Sequence, residues 1–202
     1  MRIVETKIYE FKELDNEIQN KLIDDEIEHE RDVYVTYCLE DDMLEKASEL
    51  ITDCFGKCAN IKAYYDLTYC QGSGAMIEFD VDMVDVNKAL RGNLTDDEIK
   101  LLNDYEVVVS VRHNNGHYYH ERSFVYDYSI EYEYSDDYID GLSEKLDVLM
   151  DNFYDCVVDI NYKLCKYGYS LIEDYCTDRD YFIEKLSENE YYEDGKVYCE
   201  YE

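Results

Sequence analysis

Apolar positions along this chain switch between two periods, and the switches mark out elements. Residues 2–11 alternate and are rich in β-branched side chains, so Arg2–Phe11 reads as a strand. Leu14, Ile18, Leu22, Ile23 and Ile27 then recur at helical spacing and predict a helix over Glu13–Glu30. Leu44, Ala47, Leu50, Ile51 and Cys54 predict a second helix over Glu40–Phe55, with Gly56 as its stop. The middle of the chain turns strand-like. Ala59–Tyr69 and Ala75–Met83 flank the loop Cys70-Gln71-Gly72-Ser73-Gly74, and Glu106–His113 and Tyr118–Tyr134 flank Asn114-Asn115-Gly116-His117. Asn-Gly between two strand-like runs is a strong hairpin signal. Between these pairs, Thr95-Asp96-Asp97-Glu98 has the form of a capping box and predicts a short helix to Asp104.

The last third is helical again. A long helix is expected over Asp137–Tyr167, capped by Ser135 or Asp136 and stopped by Gly168. Thr177 is positioned to cap a further helix through Ser187, and Asp194-Gly195 predicts a terminal hairpin. No stretch has the composition of a linker and no internal repeat is present. The expected fold is therefore one α+β domain over residues 1–202. A central antiparallel sheet of about four strands (56–134) carries acidic amphipathic helices from residues 1–55 and 135–202.

The long helix has two sharply different faces. At 100° per residue, Leu142, Leu146, Leu149, Met150, Phe153, Val157, Ile160 and Leu164 fall on one side. Asp140, Glu144, Asp147, Asp151, Asp155 and Asp159 fall opposite, each with a like charge about one turn away. Such pairs cost a few tenths of a kcal/mol each. Lys145 is the only base between Asp140 and Asp159. The stripe extends over about 28 Å of helix, a scale on which single-file carboxylates can stand in for a phosphate backbone. Asp127, Glu131 and Glu133 repeat the theme on one face of the strand that precedes it, and Asp24, Asp25, Glu26, Glu28, Glu30 and Asp32 form a third cluster.

Composition sharpens this. The 202 residues hold 50 Asp and Glu against 19 Lys and Arg, a net charge of −31. Residues 1–55 have 17 acids and 6 bases and residues 127–202 have 22 and 6, so the charge sits in the helical flanks. That balance argues against direct binding of nucleic acid or of an anionic membrane surface. No apolar run approaches the ~20 residues of a membrane span, and the opening residues do not resemble a secretory signal. The eight cysteines are accordingly expected as thiols of a reducing cytosol.

Other constellations are weak. His113, His117 and His120 flank the expected turn, where the strands would set His113 opposite about Tyr118 and keep the imidazoles apart. Cys54 and Cys58 lack a second close pair for zinc. Asp80, Asp82 and Asp85 lack the Gly and distal Glu of a calcium loop. Gln71–Gly74 lacks the Lys of a phosphate loop. No metal site, cofactor or catalytic set is expected, and a non-enzymatic role is.

The run Asp66-Leu67-Thr68-Tyr69-Cys70-Gln71-Gly72-Ser73-Gly74-Ala75 resembles a motif of a family of uncharacterised phage and prophage proteins. Ile8–Leu14 is similar to that family's opening, and Leu186–Lys196 to its close. This chain has Ser73 where the family usually has Asp, and Tyr192 near its usual Phe. The resemblance implies a viral context and supplies no catalytic residues; some members are labelled antitoxins. Together these readings predict a phage-borne inhibitor acting in the host cytoplasm. It would present Asp140, Glu144, Asp147, Asp151, Asp155, Asp159, Asp127, Glu131 and Glu133 to a basic nucleic-acid-binding defence protein, such as a CRISPR or restriction nuclease. The alternative is an antitoxin that neutralises a basic toxin.

Overall fold

The computed structural model describes residues 7–68, 70, 72–114, 116–128, 136–174 and 178–199, with the backbone alone for 136–140 and 174. It is an α+β protein. The chain divides into two compact units, Glu40–Tyr169 and the pairing of Met1–Leu39 with Ser170–Glu202.

The larger unit is built on strands β2 (Cys58–Asp66), β3 (Gly74–Asp82), β4 (Val108–His113) and β5 (Phe124–Tyr128). They form one antiparallel sheet in the order β2-β3-β4-β5, the expected four-stranded arrangement. Strand side chains alternate between faces. On one face Ile77, Phe79, Val81, Val109, Val111 and Phe124 are buried. Helices α2 (Leu39–Phe55) and α5 (Asp136–Asp174) cover it. The rings of Phe55, Phe79 and Phe153 join α2, the sheet and α5, with centroid distances of 5.2 Å (Phe55–Phe153), 5.9 Å (Phe55–Phe79) and 6.2 Å (Phe79–Phe153). The other face is polar: Asp80 accepts from Asn60 Nδ2 at 2.6 Å and Ser110 Oγ at 2.7 Å and pairs with Arg112. Burial would raise the Asp80 carboxyl, but these three donors hold it below the ordinary carboxylate value.

Several boundaries differ from expectation. The Asn114–His117 turn does not close a tight hairpin. His113 pairs with Phe124, so the described residues between them belong to a longer connection. The reason lies on β3, which pairs with β4 only over Phe79–Asp82. The connection folds back along the rest of β3, where an added Cβ on Gly74 would stand 2.6 Å from the Tyr119 carbonyl oxygen and 2.8 Å from His120 Cα. Nor does Gly168 end α5. It is buried within that helix because a Cβ would meet Leu67 Cδ1 at 2.7 Å and Met43 Sδ at 2.9 Å. Helix α3 (Met83–Ala89) follows β3 where no helix is expected, burying Met83 and Val86 through its short apolar side. Helix α4 (Asp96–Asp104) starts at Thr95 as its sequence predicts: Thr95 Oγ1 accepts from the Glu98 N–H and Glu98 Oε2 accepts from the Thr95 N–H.

In the smaller unit, α1 spans Asn16–Tyr37 and α6 spans Arg179–Leu186. Residues 2–6 of the expected first strand lie outside the described residues; of the rest, Tyr9–Glu10 form β1, a 3-10 turn begins at Phe11, and β1 pairs antiparallel with β6 (Glu190–Tyr191). Helix α1 outruns its expected end because Tyr34 continues the buried line of Ile23. Asp178 caps α6, accepting from the Tyr181 N–H at 3.1 Å; Thr177, the expected cap, lies outside the described residues. The expected terminal hairpin is present: Tyr191 bridges Val197 and Gly195 turns the chain at φ +84. Phe11, Leu14, Ile23, Phe182, Leu186 and Tyr191 form this unit's core. No helix among the described residues is long and apolar enough to cross a membrane.

Candidate functional site

Helix α5 is held to the sheet by the side chains its periodicity selects. Leu142, Leu146, Leu149, Met150, Phe153, Val157, Ile160 and Leu164 are all buried. Aromatic contacts add the seam with β5: the Phe124 and Tyr154 rings stack at 5.0 Å, and Tyr126 meets Phe153 edge-on at 6.2 Å. With one face so committed, the opposite face cannot turn inward.

Glu144, Asp147, Asp151, Asp155 and Asp159 are all exposed. The one base inside the stripe does not serve it. Lys145 instead reaches Glu98 on α4, donating to both carboxylate oxygens at 2.8 and 2.9 Å. Glu98 is almost fully buried. Burial would raise its carboxyl, but Lys145 and the Thr95 N–H outweigh that and hold it below the ordinary value. Asp159 pairs with Lys163 one turn on, at 2.7 Å. Both groups are more than half exposed, so that pair contributes little. Glu144, Asp147, Asp151 and Asp155 have no cation partner among the described residues. Their field reaches β5: the Tyr126 phenol is raised first by burial and then by Asp151 and Asp147, and that of Tyr128 by burial and Asp147.

The remaining sites named from sequence separate from this surface. Asp127 is exposed on β5, but its neighbours Phe124 and Tyr126 are the residues that face α5, so Asp127 projects from the other side of the sheet. The backbone of Asp140 continues the helix, while its side chain and all of Glu131 and Glu133 lie outside the described residues. The third acidic cluster is partly neutralised, contrary to expectation. Lys185 on α6 pairs with Glu26 at 2.7 Å and with Glu30, and Arg179 reaches Asp24 at 3.9 Å. Sequence alone could not pair bases on α6 with acids more than 150 residues earlier.

No group of three or more metal-ligating side chains occurs among the described residues. His113 Nε2 lies 3.2 Å from the Tyr118 carbonyl, and His120 Nδ1 accepts from the Arg122 N–H at 3.1 Å. The motif around Gly72 folds as a local knot. Asp66 accepts from the N–H and hydroxyl of Thr68 at 3.0 and 2.6 Å, and Ser73 Oγ accepts from the Cys70 N–H at 2.9 Å. Gly72 has φ +104 with the Tyr118 ring seated where a Cβ would project. The two glycines of this motif thus serve close backbone packing.

No protein-family model, curated protein or solved structure matches this chain.

Proposed function

We propose that this chain is an acidic, non-enzymatic inhibitor carried by a phage. It acts in the host cytoplasm by occupying the nucleic-acid groove of a basic defence protein such as a restriction or CRISPR-type nuclease. Carboxylates along α5 take the place of phosphates. Lys and Arg side chains arranged to neutralise a duplex would pair with Glu144, Asp147, Asp151, Asp155 and Asp159 instead. The single observation that carries this reading is the diversion of Lys145. The stripe's one internal base is spent on buried Glu98, leaving four successive carboxylates of the stripe exposed without a cation among the described residues. A helix face selected for stability alone would interleave Lys or Arg at i,i+4. A face selected to meet a basic cleft would not.

Complementary fields of this kind speed association and make it strongly salt-dependent. The test is competition. A partner captured by the wild-type chain should be released by duplex DNA and by high salt, and should be lost when Asp147, Asp151 and Asp155 are all changed to Lys.

A further inference from the structure

Two thiols meet between the helices that cover the sheet. Cys54 lies in the last turn of α2 and Cys156 in the middle of α5, 102 residues apart in the chain, yet their Sγ atoms are 3.2 Å apart. Both side chains are partly buried. Their neighbours fix the approach: the Phe55 and Phe153 rings meet at a tilt with centroids 5.2 Å apart and hold the two helices against each other beside the sulfurs. A disulfide requires about 2.05 Å between sulfurs, so closure needs roughly 1.1 Å of approach.

We infer that Cys54 and Cys156 are a dithiol site that a small-molecule disulfide oxidises to a bond tying α2 to α5. The chemistry is thiol–disulfide exchange. Cys54 Sγ, as thiolate, attacks one sulfur of the small disulfide, which expels one thiolate and leaves a mixed disulfide on Cys54. Cys156 Sγ then loses its proton to solvent, attacks Cys54 Sγ and expels the second thiolate. Two protein thiols and one small disulfide become one protein disulfide and two small thiols. The order of attack follows from the surroundings. Burial, and then the hydrogen bond to Cys54, push the Cys156 thiol up to about 12, so Cys156 is the resolving group. Nearby Cys58 is pushed up to about 11, chiefly by burial, which disfavours it as a competitor. Cys38, Cys70 and Cys199 are exposed and have no cysteine placed against them among the described residues, so they accept adducts instead.

The experiment uses the full native chain. It is incubated with excess oxidised glutathione at mildly alkaline pH and quenched in acid. Remaining thiols are alkylated, and the unreduced digest is mapped by mass spectrometry. The expected product is a cross-linked peptide pair containing Cys54 and Cys156, lighter by two hydrogens. Cys156→Ser should convert Cys54 to a glutathione adduct. Retention of both residues as alkylated thiols while Cys38, Cys70 and Cys199 have reacted would overturn the inference. So would separate adducts on each, or a bond from Cys54 to Cys58. None of these outcomes depends on what α5 binds.

Discussion

Asn161 takes a strand's place beside Ile77. Its Oδ1 accepts the Ile77 N–H at 3.0 Å, and its Nδ2 donates to the Glu121 carbonyl at 3.1 Å. The side chain is fully buried on α5, in the line of otherwise apolar positions. Because β4 leaves β3 beyond Phe79, the Ile77 amide has no ladder partner on that side, and a single amide side chain stitches β3 to the connection that follows β4. Leaving a buried polar group unpaired costs about 1–3 kcal/mol. Asn161→Leu orphans two such groups, so we predict a loss of about 2–5 kcal/mol, read by chemical denaturation. A variant as stable as wild type would contradict the role.

The two glycines of α5 should respond in opposite directions. An exposed helical Gly→Ala change gains about 1 kcal/mol. Nothing lies within 4 Å of a Cβ on Gly141, so Gly141→Ala should stabilise the chain. At Gly168 the new methyl meets buried Met43 and Leu67, so Gly168→Ala should lose about 1–3 kcal/mol through overpacking. Thermal midpoints of the two variants check this directly.

Glu98 makes stability depend on acid. Its folded-state carboxyl titrates below its ordinary value of 4.5, so its contribution is fully present above that value and is lost as pH falls through the folded value. Lys145→Met removes the main lowering partner and leaves the burial that raises the carboxyl. We predict a loss of about 1–3 kcal/mol at neutral pH. Without Lys145 the carboxyl is no longer held down, so the Glu98-linked decline should vanish and the stability gap to wild type should narrow as pH falls below 4.5, followed by denaturation read by circular dichroism from about pH 7 to 2.5. Superimposable pH profiles would show that the pair does not matter.

Like charges along α5 should act against the fold and be relieved by salt. The screening length falls from about 30 Å at 0.01 M salt to about 3 Å at 1 M. The thermal midpoint should rise across that range. Asp151→Lys should create attractive i,i+4 contacts with both Asp147 and Asp155 and stabilise by a few tenths of a kcal/mol each at low salt. The same variant should lower the Tyr126 phenol pKa, which Asp151 helps to raise, as read by ultraviolet titration.

Much of this architecture is legible in local sequence because local physics determines it. The eight apolar positions of α5, the reciprocal bonds between Thr95 and Glu98 and the alternation of Phe124, Val125 and Tyr126 each need only a few neighbouring residues. What is not legible depends on partners far along the chain. Gly168 reads as a stop until Met43 and Leu67 are seen to fill the space beside it. Lys145 reads as a lone base in an acidic stripe until Glu98 is found under it, and Lys185 gives no sign of Glu26 and Glu30. The signal available for Asn161 is an Asn in an apolar register, and it has meaning only where the sheet splits. The candidate surface is legible in the same partial way. Periodicity gives the exposed face, but whether its charges are neutralised is a tertiary property. The structure leaves the α5 stripe largely open while closing much of the cluster on α1.

The most direct test of the central claim is salt- and DNA-dependent capture by wild-type protein and by the folded triple variant Asp147→Lys/Asp151→Lys/Asp155→Lys. The account predicts that the wild type holds a basic nucleic-acid-binding host protein at low salt, releases it to duplex DNA, and that the triple variant holds none of it. Equal retention of that same protein by both chains, undisturbed by duplex DNA, would contradict it.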